Sequence, residues 1–370
     1  MSLGEEIEKA SKEIVNDGYD MSLGELITLY NEKELIINPE FQRLFRWKET
    51  QKSKFIESIL LDIPIPAIFV FTTDEGTWEL VDGLQRLSTV FEFVGILRKT
   101  DGTLEPPSVL RGTELLPSLK GISWKAGNGT HCLTNAQQFQ LRRRRIRVEI
   151  LKRSHPQSKY ELFQRLNSGS VVTNQEVRNC VMMMMNPDFF RWVKELGEFP
   201  SFKNVWVSSK KQEKTQHAME LILRFIVYRN VTRSSSDLDV NAYLDKGTLE
   251  LAKLALNKQF DLDKEGSIFK ETFSLIDKAF GKEAFKRYDK ENNRFLGPSL
   301  ISAYEVIAIG VSKSLVVVQK QSEEDQIAFV QQQVKKVWED PTFKKYAKAG
   351  IGGATRLSKL LPLSEHFSDL

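Results

Sequence analysis

Three short segments hold the side chains best suited to chemistry. The first is Asn38-Pro39-Glu40-Phe41-Gln42-Arg43-Leu44-Phe45-Arg46-Trp47, which sets Gln42, Arg43 and Arg46 among Phe41, Phe45 and Trp47. Arginines interleaved with aromatics grip phosphates or bases. They are equally what a core with exposed charges looks like. The second is Trp78-Glu79-Leu80-Val81-Asp82-Gly83-Leu84-Gln85-Arg86-Leu87-Ser88-Thr89. A strand there runs through Asp-Gly into a helix with Gln85 and Arg86 in its first turn. Gly83 permits close backbone approach, and the first helical N–H groups have no partner within the helix. The helix dipole and the Arg86 fork add positive charge, so the segment suits a phosphate. Asp82 could carry a cation between phosphates or simply cap the helix. The third is Tyr160-Glu161-Leu162-Phe163-Gln164-Arg165-Leu166-Asn167-Ser168-Gly169-Ser170. Arg165 and Asn167 sit at a helix end, where Asn167 could meet a phosphate or a metal-bound water. A plain C-cap at Gly169 is the simpler alternative.

These segments need elements to position them. The periodicity predicts a helix at 23–30 and a strand at 34–38. A helix at 51–62 carries Phe55, Ile56, Ile59 and Leu60 on one stripe. Strands follow at 67–71 and 77–81, then a helix at 85–97. The stretch 100–129 is rich in Gly, Pro, Ser and Thr and predicts an irregular excursion. A strand at 145–151 sets Arg145 and Arg147 opposite Ile146 and Val148. A helix at 159–166 leads into the third segment. From 174 onward helical periods dominate, at 174–185, 187–196, 215–229, 248–256, 267–280, 299–316 and 323–339. The fold class is therefore α+β for residues 1–180, followed by an all-α domain over 181–370.

Composition narrows the function. The chain has 370 residues, 53 Lys plus Arg against 49 Asp plus Glu, and a formal net charge of +4. That permits nucleic-acid contact without demanding it. The densest basic run is Arg142 to Arg145, continued by Arg147, Lys152 and Arg153. On it Arg143, Arg145 and Arg147 are candidates for nucleic-acid binding, or guards on an edge strand. Cys132 and Cys180 lack C-x-x-C spacing, which argues against a zinc knuckle or a disulfide framework and for a cytoplasmic setting. The four histidines, His131, His155, His217 and His366, form no metal-binding pair. No P-loop and no G-x-S-x-G occurs. Glu5, Glu6 and Glu8 with no apolar run predict no signal peptide, and no stretch approaches the roughly 20 apolar residues of a membrane helix. Met182 to Met185 are expected in a core. Asn292-Asn293-Arg294 and the stretch Gly350 to Arg356 are expected as turns between helices.

Taken in order, the three segments resemble the GmrSD-type restriction endonuclease N-terminal domain family, within the ParB/sulfiredoxin superfamily. The resemblance is close over roughly residues 20 to 180. It implies a ParB-like nucleotide pocket in which Asp82, Gly83, Gln85 and Arg86 cradle the phosphates of a nucleoside triphosphate. Gln42, Arg43 and Arg46 would join from the first segment, Arg165 and Asn167 from the third. It further implies Mg²⁺ near Asp82 and Asn167, with Asp82 and Arg86 as the groups for hydrolysis. The family's usual motif is D-G-Q-Q-R, and Leu84 replaces its first Gln, which weakens the case for hydrolysis relative to binding. Family enzymes pair this domain with an HNH-type nuclease, which needs clustered His and Asn. The second half offers only His217 and His366. The expected role is a nucleotide-dependent sensor or regulator in a DNA-directed defence system. DNA and a nuclease subunit in trans are its expected partners, and a homo-oligomer is compatible with it. A non-catalytic DNA-binding or protein-interaction module is the alternative.

Overall fold

The computed structural model describes residues 2–3, 15–37, 47–73, 75–99, 101–126, 131–152, 173–207, 216–233, 239–348 and 350–367. Contacts divide the chain into two compact units, Met1–Val171 and Val172–Leu370.

In the first unit the elements are β1 (Val15–Ser22), α1 (Leu23–Asn31), β2 (Leu35–Ile36), α2 (Glu49–Leu60), β3 (Ile68–Thr72), β4 (Trp78–Asp82) and α3 (Leu84–Val94). Then come β5 (Ile122–Ser123), β6 (His131–Cys132), α4 (Asn135–Arg143) and β7 (Arg145–Lys152). Five strands form one sheet in the order β1-β7-β3-β4-β2. β7 pairs antiparallel with β1 and parallel with β3, so it lies inside the sheet. The edge-guard reading of its arginines therefore fails. Ile146, Val148 and Ile150 are buried and Arg145 and Arg147 exposed, as alternation requires.

β1 escapes the sequence periodicity because Asn16, Asp17, Gly18 and Asp20 are poor strand formers. Pairing with β7 along its whole length overrides that. Ser22 ends it and opens α1 in a capping box: Glu25 N–H donates to Ser22 Oγ (3.2 Å), and Ser22 N–H to Glu25 Oε2 (2.7 Å). α3 ends at Gly95, whose φ of 83° is left-handed, two residues short of the expected end at Leu97. Leu97 is buried all the same. Tyr30 of α1 stacks on Phe91 of α3 at 4.3 Å. The excursion after α3 is pinned to α2: Arg111 N–H donates to Ser53 Oγ (2.9 Å), and the buried Glu57 carboxylate accepts from Thr113 Oγ1 and Leu116 N–H.

The second unit is helical: α5 (Asn174–Met185), α6 (Pro187–Gly197), α7 (Pro200–Val205), α8 (His217–Asn230), α9 (Val240–Leu256), α10 (Leu262–Phe280), α11 (Ile301–Val318), α12 (Glu323–Glu339), α13 (Pro341–Tyr346) and α14 (Gly353–Leu360). A hairpin of β8 (Arg287–Asp289) and β9 (Arg294–Leu296) interrupts it. Asn292 and Asn293 form the hairpin's turn, not a helix–helix link, and Asn293 has the positive φ such a turn needs (45°). Phe202, Phe225, Phe269, Phe273, Phe285 and Tyr304 make an aromatic core. α11 is long and apolar enough to cross a bilayer, yet 78% of it is buried inside the unit, which makes it a core helix. Met182, Met183 and Met185 are buried.

Candidate functional site

Helix α3 starts directly after β4, and Gly83 is the joint. Its φ of 102° and ψ of 11° are left-handed, and no side chain caps the helix. A Cβ at this position would lie 2.5 Å from Ile68 Cγ2 and 3.0 Å from Ile68 Cβ. Glycine is thus required twice, for its dihedrals and for the close packing of the turn on β3. A register shift between Phe69 and Val70 brings Asp82 opposite Phe69 and bulges β4 immediately before the turn.

Asp82 does not cap α3. Its Oδ2 accepts from Arg86 Nη2 at 2.7 Å, and the same nitrogen donates to the Ala67 carbonyl at 2.9 Å. Arg86 is therefore no solvated surface charge: its side chain is 16% exposed and that of Asp82 30%. Arg86 Nε is buried without a hydrogen-bond partner. The guanidinium is half committed to its own fold and keeps unused donor capacity. Gln85 reaches the other way. Its Oε1 accepts the Trp47 N–H at 3.1 Å, so the central motif holds the chain immediately after the first segment. Trp47 packs edge-on against Phe55 of α2 at 5.4 Å. Leu84 is half-buried.

The register adds a residue that the sequence did not single out. Phe69 pairs with Asp82 on one side and with Glu149 on the other, and Glu149 with Gly18. Glu149 and Asp82 thus share one row across the sheet, about 10 Å apart along the backbone at two strand spacings. Only a strand register brings these two carboxylates into line, and local periodicity carries no such signal. Arg147 Nε donates to Glu149 Oε1 at 2.9 Å. That bond, then the charges of Glu149, Asp20 and Asp17, push the Arg147 pKa up. Arg147 is thereby bonded to a carboxylate, whereas Arg145 acts on Glu25 through its charge alone.

Gln42, Arg43, Arg46, Arg165 and Asn167 lie outside the described residues. Among the described residues no group of three His, Cys, Asp or Glu side chains stands ready to hold a metal ion. Asp82 could still supply one ligand to Mg²⁺, which commonly takes one or two carboxylates with phosphate oxygens and water.

The basic run divides by environment. Arg144 pairs with Asp62 and donates to the Ile63 carbonyl (2.9 Å). Arg142, Arg143 and Arg145 are exposed, and among the described residues none of the three has an ion-pair partner. Arg356, the basic residue of the Gly350 stretch, is turned to the buried Glu305 at 3.4 Å.

Residues 23–183 match the family model of the GmrSD restriction endonuclease, N-terminal domain. The match contains all three motif segments and bears out the resemblance over that stretch, which it sets in a restriction context. No curated protein and no solved structure matches the chain.

Proposed function

We propose that this GmrSD-type domain binds the phosphates of a nucleoside triphosphate at the start of α3 and acts as a sensor or regulatory subunit in DNA-directed defence. The observation that carries the reading is the joint at Gly83. It is an uncapped helix N-terminus on a strand end, packed closely on Ile68 and with Arg86 in the first turn. A phosphate there would take first-turn N–H groups and compete with Asp82 for the Arg86 guanidinium. Breaking the Asp82–Arg86 pair would free the Asp82 carboxylate for a cation or a water. Gln85 holds the Trp47 backbone, so displacement of α3 would be felt in the first segment. Hydrolysis, if it follows, would rest on positioning and charge. A nuclease supplied by a partner would carry out the cleavage of DNA.

The test is thermal stability of the full chain with each nucleoside triphosphate, with and without Mg²⁺. A ligand at a hundred times its Kd adds about 2.7 kcal/mol to the native state. Absence of any shift with all four nucleotides would sink the reading.

A further inference from the structure

A second anion-competent region lies away from Gly83, around Phe139. This aromatic side chain is 54% exposed on α4, whose other large apolar residue, Leu141, is buried. Arg143 lies over its ring at 5.8 Å. A hollow opens on either side of it, of about 640 Å³ and 720 Å³, and Phe139, Arg143 and Arg145 line both. Arg142 joins on the second. Three carboxylates lie nearby, and two of them are already engaged. Asp62 is paired with Arg144, and Glu25, which also lines the second hollow, is held by the Ser22 cap, whose bonds push its pKa down with the charge of Arg145 adding to them. Asp20 lines the second hollow and stands opposite Arg147 in the β1–β7 register.

Two guanidinium groups therefore face both hollows and a third faces one, beside an exposed ring that Arg143 overlies. The C-terminal dipole of α4 accounts for Arg142 and Arg143 in its last turn. It does not account for Arg145 on the strand, nor for an exposed phenyl group between the hollows. A ligand that uses all of them must combine spaced anions with flat apolar faces. A duplex offers the anions and hides the faces, whereas a single strand offers both. Arg145 stands four residues before Glu149 on β7, about 13 Å by strand rise from the row that ends at Asp82.

We propose that Arg142, Arg143 and Arg145 form a groove for single-stranded nucleic acid, in which a base stacks on Phe139. This goes beyond the nucleotide reading and does not depend on it. The measurement is fluorescence anisotropy of the full chain, without nucleotide. The probes are labelled 20-mers of thymidylate and of uridylate, and a 20-base-pair duplex, in 50 to 200 mM salt. The single strand should bind more tightly than the duplex, and preference between the two 20-mers identifies DNA or RNA as the source. Phe139→Ala should weaken single-strand binding about fivefold or more, the lower end of one stacked base. The triple variant Arg142→Ala, Arg143→Ala, Arg145→Ala should flatten the slope of log K against log salt by about 2, at roughly 0.7 per phosphate contact. Lys282→Ala, an exposed charge of the helical unit, should leave both unchanged. All these side chains are exposed, so unchanged circular dichroism and melting certify the fold. The proposal is overturned if the wild type binds no 20-mer at 50 mM salt, or if the triple variant keeps the full slope. It is also overturned if the duplex binds as well and Phe139→Ala changes nothing. Equal displacement by polyglutamate would overturn it too, in favour of an acidic protein partner.

Discussion

Gly83→Ala tests whether the joint before α3 is as tightly specified as the geometry says. The methyl group meets two costs. Placing a non-glycine residue in a left-handed conformation costs roughly 1–2 kcal/mol, and φ of 102° lies beyond the centre of that region. The Cβ also falls 2.5 Å from Ile68 Cγ2 and 3.0 Å from Ile68 Cβ. Ile68 is fully buried on β3, between β7 and β4, and cannot swing aside. Overpacking of this kind costs roughly 1–3 kcal/mol. The expected loss is therefore about 2–5 kcal/mol. A double-mutant cycle separates the two parts. Ile68→Ala removes Cγ2 and by itself costs roughly 2–5 kcal/mol through the cavity it leaves. If the clash is real, the double variant is less destabilised than the sum of the singles by about 1–3 kcal/mol, while the dihedral cost persists. Hydrogen exchange of the Leu84–Val94 amides reads this locally, and urea unfolding reads it globally. A loss under about 1 kcal/mol for Gly83→Ala, or additivity within roughly 0.5 kcal/mol, would refute the reasoning.

Other outcomes follow from buried groups. Arg178 is 2% exposed and donates to Asp245, Gln175 and Asn241. Arg178→Met should destabilise the helical unit by roughly 3–5 kcal/mol in urea, because the largely buried Asp245 loses the Arg178 guanidinium. Burial pushes the Asp245 pKa up even with Arg178 beside it. A folded pKa above the unfolded one stabilises below the unfolded value, and that contribution is lost as pH rises through the folded pKa. Asp245→Asn should therefore remove a fall in stability on the alkaline side of pH 4, seen in melts between pH 4 and 7. Burial lowers the His217 pKa, with Glu220 opposing and Arg224 adding to the shift. The unfolded chain then takes up a proton near pH 6.5 that the folded chain refuses, so stability falls as pH drops below about 6.5. His217→Gln should flatten that limb. Gln85→Ala should cost about 1 kcal/mol through the lost Trp47 bond and speed exchange of the Trp47 amide.

The parts of the site that were legible in the sequence are those set by local periodicity. The strand into Asp82, the helix after Gly83 and the alternation of Arg145, Ile146, Arg147 and Val148 all have short-range signals. What escaped depends on distant pairing or on polar helices. β1 has strand geometry because β7 completes it, against its own composition. α4 carries one buried apolar residue, Leu141, so no stripe announces it. Its Phe139 was invisible as a surface group because apolar residues are read as core by default. Asp82 was read as a cap or a metal ligand, whereas the structure gives it to Arg86, four residues on, a spacing the helix makes adjacent. The first eight residues of α9, Val240–Gly247, escaped because they mix Asn, Asp, Lys and Gly.

The position of β7 has a consequence for how the N-terminal unit is made. β3 and β1 both depend on this strand, yet it is synthesised last of the five. While the chain is growing, Val15–Ser22 has no partner strand, and the apolar edge of Ile68 and Val70 stays open until residue 152 has emerged. Long-range pairing of this kind folds slowly and leaves unpaired edges available to other chains. Any truncation before Arg145 would therefore yield a sheet missing its second strand and prone to aggregation. The arginines at the head of β7 thus open the one strand on which closure of the sheet waits.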